Sequence, residues 1–383
     1  MRRRQAFTLV ELLVTIALII FIMTLLSEAF IIGVKTFRDL KALGDMDERL
    51  RAGNAQILAD VQADHFQGKA RLGDPNFWQS GPPTAGFFRI YAPSAGVMPL
   101  AWPGPGVAAS YFEGTDGDNI PSAVVTDTVL HFSVKLRGNK PDRFFSASNI
   151  PLGSPLLGLP TTYPEAQGLA PDSRYQVGAG TTYNSQWAEV AYFLVPNGDV
   201  AGSTPLYTLY RAQLVVVPDN TYLNWATNPP QGTPISAAQI GSYMEMSCEP
   251  DPAGSGNLLF NNPSDLAGAY NGVSPPAVNV PPLRAFDPTN PAVPDPNTGL
   301  PRSSTFVIGD VISFEVQALV YDPTNPSNPP QMGYLNFDTG TQNAGPQQNM
   351  PPINVTIRAL QITIRVWDNK TQLTRQITIV QDM

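Results

Sequence analysis

The chain has 383 residues, enough to bury a substantial core, with 43% hydrophobic and only 14% charged residues. Its formal charge is −8, and no basic stripe follows the N-terminal stretch; this argues against a nucleic-acid partner, because phosphate contacts need Lys and Arg. The single cysteine, Cys248, excludes an intrachain disulfide, and beside Tyr243, Met244 and Met246 it reads as a buried thiol.

Met1 to Gln5 is short and positive, and Ala6 follows. An apolar run then extends from Phe7 to Ile32, with no charge between Leu12 and Leu26. That length is close to the ~20 residues a membrane-spanning helix needs. Arg2, Arg3 and Arg4 would stay cytoplasmic, leaving the bulk of the chain outside. A secretory signal peptide would be cut after the apolar run, but Ser27-Glu28-Ala29 is a poor site for that. A plain signal anchor accounts for the arginines and the apolar run, but not for Glu11. A carboxylate there costs a few kcal/mol in lipid unless it is paired.

The segment Ala6-Phe7-Thr8-Leu9-Val10-Glu11-Leu12-Leu13-Val14 resembles the prepilin motif of type IV pilins and type II secretion pseudopilins. That motif is a basic leader, a small residue, then a hydrophobic helix that begins with Phe and carries Glu at its fifth position. Ala6 stands where the pattern usually has Gly. The resemblance implies that a prepilin peptidase cuts between Ala6 and Phe7 and methylates the new Phe7 amine. Removing the three arginines would take the charge from −8 to −8 − 3 = −11. Glu11 lies about one helical turn from Phe7. In a stack of parallel helices it could neutralise the Phe7 amine of a neighbour, a pairing that sets registry as well as adhesion.

The apolar spacing continues beyond Ile32 as Phe37, Leu40, Leu43, Leu50, Ile57 and Val61. This predicts one helix from Phe7 to about Phe66, roughly 90 Å long. Asp45–Arg49 and Asp47–Arg51 have the favourable acid-first i,i+4 spacing. Gly33, Gly44 and Gly53 are read as points of curvature.

Downstream the period changes to two. Phe87–Tyr91, Leu130–Arg137, Trp187–Val195, Leu206–Val217, Ile312–Val320, Leu360–Val366 and Leu373–Val380 read as strands. Turns are expected at Pro196-Asn197-Gly198-Asp199 and Asp368-Asn369-Lys370. The expected fold is α+β and pilin-like: one long helix packed on an antiparallel sheet. The expected domains are a leader (1–6), a membrane or filament-core helix (7–33), its amphipathic continuation (34–68) and a β-rich domain (69–383). The 39 prolines, about twice the usual share of roughly 5%, crowd into long segments at 74–125, 148–185, 218–304 and 323–352. These read as interaction decorations or partly disordered loops.

Three further segments are similar to the large minor pseudopilins of type II secretion, in particular the J-type subunit. They are Arg49-Leu50-Arg51 running to Leu58-Ala59-Asp60-Val61, the strand Val190–Leu194 followed by Leu209-Tyr210-Arg211, and Ile357-Arg358-Ala359-Leu360. The resemblance implies a bacterial inner-membrane protein with a single pass at Leu12–Ile32 and its C-terminal domain outside the cytoplasm. Prepilin peptidase and other pilin or pseudopilin subunits would be its partners. The implied function is that of a structural minor subunit. A minor pilin for adhesion, motility or DNA uptake, and a helix-anchored glycan-binding module, are the alternatives.

No catalytic constellation is visible, and no cofactor is expected. Asp116-Gly117-Asp118-Asn119 could ligate calcium but lacks the later bidentate Glu of an EF-hand, so a solvated turn is the preferred reading. Asp287-Pro288, Asp295-Pro296 and Asp322-Pro323 start turns without any metal. His65 and His131 are isolated in sequence, with His131 on the polar side of its strand. Gly178-Ala179-Gly180 leads into no phosphate loop. Trp78, Trp102, Trp187, Trp225 and Trp367 read as packing residues, with glycan stacking as the alternative.

Overall fold

The computed structural model describes residues 8–68, 70–79, 83–91, 112–115, 121–126, 128–138, 140–148, 150, 156, 182–202, 204–218, 243–250, 258–267, 303–321, 330–333, 337–339, 355–369 and 371–383. Helix α1 spans Leu9–Val61, 53 residues, which is ~80 Å at 1.5 Å per residue. No proline interrupts it, so its i to i−4 ladder runs on through three glycines, and Thr8 caps it.

The strands are β1 (Phe88–Tyr91), β2 (Phe112–Thr115), β3 (Pro121–Ala123), β4 (Val129–Lys135), β5 (Phe145–Ala147), β6 (Tyr183–Ser185), β7 (Trp187–Ala201) and β8 (Thr204–Val216). Then come β9 (Cys248–Pro250), β10 (Leu258–Phe260), a short helix α2 (Pro263–Leu266), β11 (Ser304–Tyr321), β12 (Gln331–Gly333), β13 (Phe337–Asp338), β14 (Thr356–Asp368) and β15 (Leu373–Asp382). The main sheet has the order β13-β1-β4-β7-β8-β11-β14-β15, with β12 also on β11. Every pairing in it is antiparallel. The expected α+β architecture is what the chain builds.

Alternation assigns the two faces. Leu130, Phe132, Val134, Val190, Tyr192, Leu209, Phe314 and Ile362 join Met46, Leu50, Ile57 and Val61 of the helix in one core. Fully burying each of those four helix side chains contributes about 1.5–3 kcal/mol. The covered stripe begins at Leu43 and Met46, later than the sequence spacing suggests: Phe37 and Leu40 stay 70% and 64% exposed. Among the described residues that line this part of the helix, only Thr371 at the β14–β15 hairpin tip comes from the sheet.

Gly53 serves contact rather than curvature. A Cβ there would lie 2.5 Å from Ile308 Cδ1, so the missing side chain lets α1 sit against β11. The expected Asp45–Arg49 and Asp47–Arg51 pairs do not form; Asp47 instead approaches Arg375 of β15 at 3.8 Å.

The turn expected at 196–199 is a bulge. β7 runs through it to Ala201, the register shifts between Pro196 and Val200, and the chain reverses after Gly202 (φ 63°). A proline inside a strand is tolerated at such an irregularity because it has no N–H to give to the ladder.

Part of the 218–304 segment belongs to the core. Val215 N donates to Glu245 O, Ser247 N donates to Val215 O, and Val217 N donates to Asn261 O, so residues 245–247 and 261 bond along the end of β8. Tyr243, Met246, Cys248 and Phe260 are buried there. The buried thiol expected at Cys248 is found.

Candidate assembly site and the lock between helix and sheet

Three clusters of polar side chains in the described chain bear most on function. The first is the head of α1. Thr8 Oγ1 accepts from the Glu11 backbone N–H at 3.3 Å, and Glu11 Oε2 accepts from the Thr8 N–H and hydroxyl at 2.9 Å each. This reciprocal capping box satisfies helix-end donors that lipid could not. Beyond it, Leu12, Ile19, Met23, Leu26, Phe30 and Ile32 are all about half or more exposed. The hydroxyls of Thr15, Thr24 and Thr36 donate to carbonyls of the preceding turn, so they present no unmet donor. The resulting surface is apolar all round and uncovered by the rest of the chain, as a helix in lipid or in a helix bundle would be. Ala6 and Phe7 lie outside the described residues.

The second place joins α1 to the sheet. Asp60 Oδ2 accepts from Arg211 Nε at 2.6 Å and Oδ1 from Arg211 Nη2 at 3.0 Å. Tyr192 donates its hydroxyl to the same Oδ2 at 2.6 Å, and Arg211 Nη1 donates to Gln213 at 2.6 Å. The Asp60 and Arg211 side chains are 12% and 10% exposed. Burial first, then the Asp60 charge, pushes the Tyr192 phenol well above its ordinary pKa. Burial works to lower Arg211, but its bonds to Asp60 outweigh this and hold it above the usual value. The group is a fixed ion pair with its donors engaged. Its three members come from α1, β7 and β8; neither periodicity nor spacing in the sequence showed that they meet.

The third is a buried network on the opposite face. Glu189 Oε1 pairs with His131 Nε2 at 2.8 Å, and Glu189 Oε2 accepts from Ser247 Oγ at 2.6 Å. Asn261 Nδ2 donates to Ser247 Oγ at 3.0 Å. His131 is therefore buried, not on an open polar side as its strand pattern suggested; Ser247, Asn261 and α2 cover that face. The residue types are those of a hydrolase triad, but the order is different. The carboxylate stands between serine and histidine, so the imidazole has no access to the hydroxyl proton.

His65 closes the end of α1. Its ring nitrogens lie 3.0 Å from Val61 O and 2.9 Å from Ser133 O. A charged ring would satisfy both carbonyls, but full burial outweighs them and holds its pKa below the ordinary value.

Trp78 donates its indole N–H to Val355 O at 2.7 Å, and Trp187 is buried, so both serve packing. Trp102, Trp225, the glycine run at 178–180 and the Asp-rich turns at 116, 287, 295 and 322 lie outside the described residues. Among the described residues, no three His, Cys, Asp or Glu side chains gather as a metal site.

Residues 1–27 match the family model of the prokaryotic N-terminal methylation motif. No curated protein and no solved structure matches the chain. The motif falls on the basic leader, the Thr8–Glu11 cap and the uncovered apolar helix, and behind it stands a helix-on-antiparallel-sheet domain. The chain thus carries a prokaryotic N-terminal methylation motif on its first helix and a helix-on-antiparallel-sheet domain behind it, an arrangement consistent with a type IV pilin-like protein.

Proposed function

We propose that this chain is a structural minor subunit of a type II secretion pseudopilus or a type IV pilus-like filament. It is cut between Ala6 and Phe7, methylated at Phe7 and assembled through its first helix. The observation that carries this reading is an apolar helix, about half of α1, that the chain's own domain leaves uncovered and that Glu11 heads. Lipid covers it before assembly and neighbouring subunits cover it afterwards. In the filament, Glu11 of one copy meets the Phe7 amine of the next, each charge being cheaper as a pair. The leader end of α1 stays at the cytoplasmic face of the inner membrane and the sheet domain lies outside.

The minor position follows from bulk. A domain of more than 300 residues with long Pro-rich segments is hard to repeat along a tight fibre.

Mass spectrometry of the mature protein tests the processing. The expected N-terminus is a methylated Phe7, and Ala6→Asp should leave the leader in place; an unchanged mass in the wild type refutes the reading. Abundance tests the position: recovery as the commonest subunit of purified filaments would remove the minor role. Neighbouring secretin and secretion-ATPase genes would favour the assembly reading, and polysaccharide-handling genes a glycan-binding module.

A further inference from the structure

Just beyond the apolar run, a groove of about 960 Å³ opens between α1 and the tip of the β14–β15 hairpin. Phe30, Ile31 and Val34 form its foot, Lys35, Arg38 and Lys41 rise along its wall, and Thr371 closes the hairpin side. Asp39 and Asp45 also line it, and Glu28 sits about one turn below on the same helix face. The three cations take part in no ion pair or hydrogen bond among the described residues. Phe30 and Ile31 are 72% and 63% exposed, although they flank a folded domain.

The height of this groove decides its occupant. Leu12 to Ile32 is ~30 Å of helix, the thickness of the hydrocarbon core. Lys35 and Arg38 then lie ~5 and ~9 Å above its edge, within or at the rim of a headgroup layer of about 5–8 Å. Apolar side chains sit at acyl-chain level and cations directly above them, in the order of a phospholipid.

We propose that this groove binds a phospholipid of the leaflet nearer the domain, with its phosphate between Lys35 and Arg38 and an acyl chain along Phe30 and Ile31. Asp45 stands ~10 Å above Arg38, where it repels a second phosphate, while Asp39, only ~1.5 Å above Arg38, keeps the first from rising past that residue. The hairpin tip rests on the membrane surface as a result, and the tilt of the sheet domain is set before assembly. This rests on α1 crossing the bilayer as proposed above.

The test uses the full chain in vesicles of phosphatidylethanolamine and phosphatidylglycerol, with a fluorophore on Asn369→Cys, exposed at the hairpin tip; Cys248 is buried and does not take the label. Lipid with a headgroup nitroxide should quench it, while a probe on Ala59→Cys, ~40 Å above Ile32, should stay bright. Lys35→Gln with Arg38→Gln should raise the spin-lipid fraction needed for half-quenching by roughly fivefold per cation removed. Half-quenching at the same fraction in wild type and variant overturns the proposal. So does a bright wild-type Asn369→Cys probe that instead cross-links to a neighbouring copy. A probe on Ala17→Cys separates the two readings. If lipid with a chain-end nitroxide fails to quench it, α1 does not cross and the membrane reading falls; if Ala17 is quenched and Asn369 is not, only the groove proposal falls.

Discussion

Asp60 and Arg211 are 151 positions apart and meet through two hydrogen bonds of 2.6 and 3.0 Å, one to each carboxylate oxygen. One residue ends the long helix and the other sits mid-sheet, so the pair fixes the helix's position over the sheet. A buried pair of this kind is strongly destabilised by removing one partner, because the other charge is left without compensation. Asp60→Ala or Arg211→Ala should cost about 3–5 kcal/mol. Asp60→Leu combined with Arg211→Met should cost clearly less than the sum, since no charge stays buried. Denaturant titration of the full chain in detergent, comparing both singles with the double, measures this coupling; additive losses would show the pair to be energetically idle.

His65 gives the fold a pH dependence of predictable sign. Its pKa is below 6.5 in the folded chain, with burial as the leading cause, and returns to about 6.5 on unfolding. The unfolded chain therefore binds the proton first as pH falls. Stability is fully present above pH ~6.5 and declines below it, with a limiting slope of about 1.4 kcal/mol per unit until the folded value is reached. Between pH 7.5 and 5.5 the wild type should lose stability that His65→Gln does not lose. Equal losses in both would assign the acid sensitivity to the carboxylates instead.

The glycines of α1 should respond differently to added side chains. Around Gly33 and Gly44 nothing lies within 4 Å of an added Cβ, so Gly44→Ala should stabilise by roughly 0.5–1 kcal/mol through helix propensity alone. At Gly53 the Cβ would meet Ile308 Cδ1 at 2.5 Å and Cγ1 at 2.7 Å. Gly53→Val should therefore cost about 1–3 kcal/mol by overpacking. Thermal melts of the two variants should move in opposite directions; a stabilised Gly53→Val would mean that the helix does not sit as close to β11 as its glycine permits.

What the sequence showed and what it hid divide along contact distance. The helix, and the alternation in β4, β11 and β14, are local signals written in consecutive residues, and they were legible. The extent of burial was not. Phe37 and Leu40 continue the apolar stripe but stay exposed, a boundary no helical period records. His131 looked solvent-facing because its cover, Ser247 with Asn261 and α2, arrives from more than 100 residues away. Asp47 had an i,i+4 arginine available and took Arg375 instead, a choice made by the packing of β15 on α1. The Pro-Asn-Gly-Asp run signalled a turn correctly in its chemistry, and Gly198 does adopt φ 87° there. The strand pairing on both sides absorbed it as a bulge.

Glu11 has two roles that a single substitution would confound. In the chain as described, its carboxylate closes the capping box with Thr8 at 2.9 Å. In the proposed filament the same carboxylate pairs with a neighbour's Phe7 amine. Glu11→Ala removes both roles, while Glu11→Gln keeps an oxygen for the cap and removes only the charge. If charge pairing sets the registry, the Gln variant should be inserted and cleaved normally yet be incorporated into filaments as poorly as the Ala variant. Thr8→Ala should show the reverse, losing about 1 kcal/mol of helix capping while assembling normally. Quantifying cleaved precursor and filament-bound subunit for the three variants checks this. Normal incorporation of Glu11→Gln would mean that the cap, and not the charge, is what assembly requires of this residue.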